Sequence, residues 1–250
     1  MAAKRTKRNQ DEHRFLEQYD ADAFERLSVS VDVSLLTQVG GELRVFLVRR
    51  DEHPFRGQWS LPGGFVGVDE SLEAAARRVL RDKAALEGVF LEQLFTFGQP
   101  DRDPRTRVLT VAYYALVDWS RLAELPTGSD AALATLHVPF AGETGGPVDV
   151  TVDGEPLLVA FDHADIVGMA IKRLRGKLDY APIGFQLLPE RFTLLQLQQL
   201  HETVLGQQLN KDSFRRRMLQ SGMLEATGER EKAVGHRPAE LYRFVHRSAI

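Results

Sequence analysis

The sequence predicts a mixed α/β protein in two parts: a sheet-forming domain with one long amphipathic helix, then a helical domain closed by two strands around a basic loop. Three observations predict it. Strand-like runs occupy Ser28–Leu36 and Leu43–Val48, a stripe of helical period runs from Ser71 to Lys83, and capping residues and glycines punctuate the segment from Thr193 to Gly222. The 250 residues exceed the roughly 100–200 of a typical domain. We expect a flexible tail over 1–20, a first domain over 21–147 and a second over 148–250.

In the first domain, Ser28–Leu36 alternates as SVSVDVSLL and pairs with Leu43–Val48 across the turn at Gly40-Gly41. The next element is a helix, because Leu72, Ala75, Ala76, Val79 and Leu80 fall on one face and arginines on the other. Phe90–Phe97 and Val108–Val117 are further strands, divided by the polar loop GQPDRDPRTR, and Ala134–Pro139 closes the sheet. The breaker-rich AGETGGP over 141–147 is the expected connection, and Asp153-Gly154 between apolar runs predicts a two-residue hairpin turn.

The second domain begins with a helix over Phe161–Leu178 that Asp162 can cap, followed by a short strand at Phe185–Leu188. Thr193 caps a second helix that Gly206 ends. Asn210 or Asp212 caps a third, in which Phe214, Met218 and Leu219 face inward and Arg215, Arg216 and Arg217 outward, and Gly222 ends it. Met223–Ala226 and Leu241–Val245 then pair around the loop TGEREKAVGHRPAE. Helix, strand, helix, helix, strand, basic loop, strand is the order of a winged helix-turn-helix. Guanidinium groups on such a third helix match phosphate oxygens and the guanine edge, and a basic wing reaches the backbone or minor groove. The expected DNA-binding residues are Asn210, Lys211, Ser213, Arg215, Arg216, Arg217, Arg230, Lys232, His236 and Arg237.

Composition narrows the chemistry. There are no cysteines, which excludes disulfides, thiolate metal sites and cysteine nucleophiles and suits a reducing cytoplasm. No secretory signal is expected in the charged first residues, and no apolar run approaches the roughly 18 residues that span a bilayer. The net charge of -3 is uneven: residues 161–250 hold 14 Lys and Arg against 10 Asp and Glu, and residues 1–160 hold 18 against 25. Only the C-terminal part suits a polyanion. The seven histidines have no metal-ligand spacing, and neither a Ser-His-Asp set nor a P-loop is present.

Between Leu61 and Leu86 the chain reads LPGGFVGVDESLEAAARRVLRDKAAL, which resembles the Nudix hydrolase box. Gly64, Glu70, Arg78, Leu80 and Leu86 keep its frame, whereas Val79, Asp82 and Lys83 stand where the family has catalytic and metal-binding glutamates, and Ala85 replaces a glycine. Diphosphate hydrolysis needs divalent cations held by hard carboxylate oxygens. Valine cannot supply one, and an ammonium repels a cation. Glu70 and Glu73 are expected to stabilise the N-terminal end of the helix. No catalytic residue and no metal ligand set are therefore expected.

From about Tyr19 to Phe244 the chain resembles the Nudix-related transcriptional regulators, through YDADAFERLSVSVDV, WSLPGGFV, FGQPDRDPRTRV, FDHADIVGMAIKRLRGKL and LLPERFTLLQLQQLHETVLG leading into NKDSFRRRMLQSG. The resemblance implies a Nudix α/β/α sandwich followed by the winged helix-turn-helix. It also implies a cytoplasmic homodimeric repressor of NAD biosynthesis genes on a palindromic operator, with ADP-ribose or a related NAD metabolite as effector and no cofactor. Donors for the effector diphosphate are expected from Gly63-Gly64 and from Arg49, Arg50 and Arg56, aromatic packing on adenine from Trp59 or Phe65, and pocket-mouth contacts from Asp101, Arg102 and Arg107. The alternatives are an active ADP-ribose pyrophosphatase, a regulator answering a sugar-pathway metabolite, and a nucleotide-dependent scaffold whose winged helix binds protein.

Overall fold

The computed structural model describes residues 11–122, 128, 130–178, 182–232, 235 and 237–245. Within the expected tail, residues 11–18 form an exposed helix, α1, and residues 1–10 lie outside the described residues. A mixed sheet follows, built from β1 (Ser28–Val39), β2 (Glu42–Arg49), β3 (Trp59–Ser60), β4 (Gly63–Phe65), β5 (Phe90–Phe97), β6 (Val108–Leu116), β7 (Ala131–His137), β8 (Asp149–Val152) and β9 (Glu155–Pro156). The main path runs β5-β6-β1-β2-β7-β8-β9, with β4 paired to β1 and β3 to β2. The sequence puts β8 and β9 after the expected connection, but β8 pairs with β7 through Thr135 and Thr151 and continues the first sheet. Their turn is the expected one, with φ of 51° at Asp153 and 83° at Gly154.

β1 is central and pairs parallel to β6. Parallel strands are covered on both faces, and every residue from Ser30 to Thr37 is buried. Val31, Val33 and Leu35 join α2 (Leu72–Ala84) and the short α3 (Trp119–Leu122) in one core. Leu36, Ala112, Tyr114 and Leu116 face the other side, under α4 (His163–Lys177). Ser71 caps α2 by accepting from the Ala74 amide, and Val79, 2% exposed, belongs to the core.

The second core is continuous from the sheet through α4 into the C-terminal helices α5 (Leu194–Leu205) and α6 (Lys211–Gln220). Gly168 lets α4 approach the backbone of the connection, since a Cβ there would strike Gly146 O. Where a strand was expected at Phe185–Leu188, a 3₁₀ turn spans Pro182–Leu187. The adjacent Leu187 and Leu188 both enter one cluster, which a strand alternating between two faces would not allow. Thr193 and Gln196 form a reciprocal capping box, Gly206 ends α5 in the left-handed region, and Asn210 caps α6. Phe214 and Met218 are buried as expected, but Leu219 is 45% exposed on the outer side of α6. The wing is β10 (Leu224–Arg230) paired with β11 (Glu240–Phe244), joined by a bridge from Tyr242 to Phe192. No described helix is long and apolar enough to cross a membrane.

Candidate functional site

The N-terminal end of α4 is tied to the sheet by backbone. Trp59 donates to Leu158 O and accepts from the Ala160 amide at 3.0 and 2.7 Å. This pairing delivers Phe161, Asp162 and His163 to the ends of β1, β2 and β4 and closes a cavity of about 210 Å³. Asp32 of β1 forms part of its floor. Thr110 donates to Asp32 Oδ2 at 2.7 Å, Arg102 lies 3.6 Å from the same oxygen, and His163 Nε2 lies 3.5 Å from Oδ1. Gly63 has no room for a side chain, because a Cβ there would collide with Asp32 Oδ1.

Burial keeps the His163 imidazole below its usual pKa. The neutral ring accepts the Leu61 amide on Nδ1 at 2.9 Å, which leaves the proton on Nε2, facing Asp32. Arg102 is 9% exposed and makes a bidentate pair with Asp162 at 2.9 and 2.6 Å. Burial opposes its charge, and the Asp162 bonds with the Asp32 and Asp103 charges outweigh that, so its pKa is raised. Asp162 is therefore the N-cap of α4 without a capping bond, because its carboxylate is turned to Arg102. Arg105 holds Asp103, whose pKa is lowered by that bond, and sits 5.5 Å above the Phe65 ring. Arg50 donates Nε to Pro54 O at 2.7 Å and lies 4.8 Å from the Phe161 ring; desolvation lowers its pKa first, then repulsion from Arg105. Phe161 adopts φ of 56° with its ring edge-on to Phe55.

Of the residues expected at the ligand, Arg49, Arg50, Gly63, Gly64, Phe65 and Arg102 line this cavity. Four do not. Trp59 packs against the core, and Arg56 lies in the adjoining groove of about 730 Å³. Asp101 is exposed at the loop tip, and Arg107 folds back onto Gln99 O at 2.8 Å. Asp32, Asp103, Arg105, Phe161 and His163 also line it and were not among the expected residues, and Phe161 is an aromatic of the lining where Trp59 is not. The signal for Asp32 was present in Ser30, Asp32 and Ser34, three polar residues on one face of a central strand.

The Nudix box contributes no carboxylate cluster. Val79 is in the core, Asp82 pairs with Arg81 at 3.0 Å and Glu73 with Arg77 at 2.8 Å. Glu70 is held by Arg78 at 2.7 Å and by the Gly67 amide, which lower its pKa to about 2. Ala85, at the glycine position of the box, takes a left-handed conformation with φ of 48°.

At the far end, a groove of about 570 Å³ between α5, α6 and the wing brings together Lys211, Arg215, Arg230 and Arg237. Arg216 and Lys232 are exposed outside the groove lining, and Arg217 lies 5.7 Å over the Phe214 ring. Asn210 and Ser213 are joined in the α6 cap, with the Asn210 side chain accepting the Ser213 amide. His236 lies outside the described residues.

Residues 26–137 match the NUDIX domain family, and residues 184–244 match the NrtR DNA-binding winged helix domain. The chain is 36% identical, over 94% of its length and 88% of the relative's, to the ADPR responsive transcriptional repressor NtrR of Acinetobacter baylyi. It belongs to the Nudix-related transcriptional repressor family. The structure of one such protein, Shewanella oneidensis NrtR complexed with a 27mer DNA, aligns with a TM-score of 0.70 at 34% identity, covering 86% of this chain and 93% of that one. The NUDIX domain of the same protein complexed with ADP ribose aligns with a TM-score of 0.50 at 32% identity, covering 65% of this chain and 98% of that one. These relatives agree with a sandwich joined to a winged helix in one chain.

Proposed function

We propose that this protein is a cytoplasmic DNA-binding repressor of NAD biosynthesis and metabolism genes, whose Nudix-like part, from residue 21 through β8 and β9 to the start of α4, binds ADP-ribose or a related NAD metabolite without hydrolysing it. The observation that carries the reading is the coexistence of a preformed polar pocket beside an eroded box and an arginine-bearing α6 with a basic wing. As a homodimer, it presents two copies of α6 to successive major grooves of a palindromic operator, about 34 Å apart. Effector binding changes the relative placement of the two winged helices. A coupling of about 1–3 kcal/mol suffices for a useful switch.

The cavity of about 210 Å³ is smaller than the roughly 300–1,000 Å³ of common ligand sites. It opens past Arg49 and Arg50 into the groove of about 730 Å³, which supplies the room that a dinucleotide-sized effector needs. Phe65 and Phe161 offer ring faces, while Arg49 and Arg50 offer donors for anionic oxygens. Fluorescence anisotropy on a duplex from the region upstream of its own gene, titrated with ADP-ribose at fixed salt, tests the reading. Release of specifically bound DNA, with ADP-ribose recovered intact by chromatography, is the expected outcome. Absence of specific DNA binding, together with metal-dependent cleavage, favours the pyrophosphatase instead.

A further inference from the structure

Nucleotide diphosphates reach most protein sites with a divalent cation, and such a cation requires converging oxygen ligands. The fold family implies one here, and the side chains do not fit it. Among the described residues, no three His, Asp or Glu side chains converge on a metal position. Of the four carboxylates in the box segment, Glu70, Glu73 and Asp82 are already paired with arginines, which leaves Asp69 alone to offer oxygen.

Lys83, by contrast, lines both the cavity and the adjoining groove, on the rim they share with Arg49 and Arg50. No ion pair or hydrogen bond engages its ammonium among the described residues. The neighbouring cations are more committed. Arg102 and Arg105 are held by carboxylates, and Arg50 by Pro54 O and the Phe161 ring. Arg49 uses Nε on Gly57 O at 3.1 Å and keeps its two Nη groups. Asp51 lies on the same rim, with Glu52 further along the cavity and Asp82 and Asp130 along the groove, so the open cations of the shared rim are Lys83 and the Nη groups of Arg49.

We propose that Lys83 Nζ and the Arg49 guanidinium bind the diphosphate of the effector directly, a fixed ammonium supplying the positive charge that a divalent cation supplies elsewhere. An ammonium offers three rotatable donors and suits an anion whose oxygens are not presented in a planar fork. This rests on the ligand reading proposed above and adds two claims to it: recognition is independent of metal, and α2 contributes to it through a position that carries a glutamate in the hydrolase box.

Calorimetric titration of the full-length protein with ADP-ribose tests it, once in EDTA and once in magnesium. Wild-type affinity is expected to agree within about twofold between the two buffers. Lys83→Ala is expected to weaken binding about tenfold, as loss of a charge-assisted bond to a phosphate does, while Lys83→Arg, which keeps the charge but not the ammonium geometry, weakens it less. The melting temperature of the unliganded Lys83→Ala protein should be unchanged, which separates ligand contact from a stabilising role in the last turn of α2. Equal affinity of Lys83→Ala and wild type, or wild-type binding that requires magnesium, overturns the proposal while leaving the effector reading standing. Wild type that binds no ADP-ribose in either buffer overturns the effector reading, and this assignment with it.

Discussion

The protein carries two basic surfaces, and they are built in opposite ways. In the pocket, Arg102 and Arg105 are neutralised within the fold by Asp162 and Asp103, and the Arg102 side chain is 4% exposed. On α6 and the wing, Lys211, Arg215 and Lys232 are exposed, and no ion pair is formed by them among the described residues. A buried guanidinium must be paired because desolvation is expensive. An exposed one can remain open and release counterions when it meets a phosphate backbone. The difference teaches that the buried, paired charge of the pocket sets shape, whereas the open charge near the groove of α6 sets long-range attraction.

Arg102→Ala should break this comparison most severely. It strands Asp32 and Asp162 beside each other, and we expect a loss of about 3 kcal/mol in stability by denaturant titration, with ADP-ribose binding lost as well. Arg215→Ala should leave stability and ligand affinity alone and weaken operator binding about tenfold in an anisotropy titration. Arg217→Ala, stacked on Phe214, should weaken it less; the reverse order would mean that α6 is rotated on DNA from the face assigned to it.

His163 sharpens the contrast through pH. Its folded pKa lies below the unfolded value of about 6.5, so acidification protonates the unfolded chain before the folded one. Stability from this residue is fully present above about pH 6.5 and falls as pH drops below it. Melting temperatures between pH 7 and 5 should decline more steeply for wild type than for His163→Gln. Ala85→Gly touches neither surface. Relief of the left-handed alanine at the end of α2 should raise stability by about 1 kcal/mol and shift neither binding curve.

Local grammar was the legible part of the fold. Thr193, Gly206, the Asp153-Gly154 turn and the apolar stripe of α2 all act within a few residues, and the structure uses each as expected. The half of the pocket that was missed depends on distant meetings. Asp32 and His163 are 131 positions apart in the chain, and Asp162 reads as a helix cap until Arg102, 60 residues away, claims its carboxylate. The 3₁₀ turn at Pro182–Leu187 was illegible for a related reason, since its apolar run matches a strand until the core that surrounds it is known.

One helix joins the two surfaces. α4 begins with His163 at the pocket floor, and its last turns carry Arg175, a guanidinium 7% exposed that donates to Val204 O of α5 and to Phe140 O and Gly142 O of the connection. Its 15 residues span roughly 22 Å at about 1.5 Å per residue. Such a rod is a lever with its short arm at the ligand: a tilt of about 5° around the pocket end displaces the opposite end by about 2 Å over that length. A small tilt at the pocket end would thus be magnified at the end that is bonded to α5.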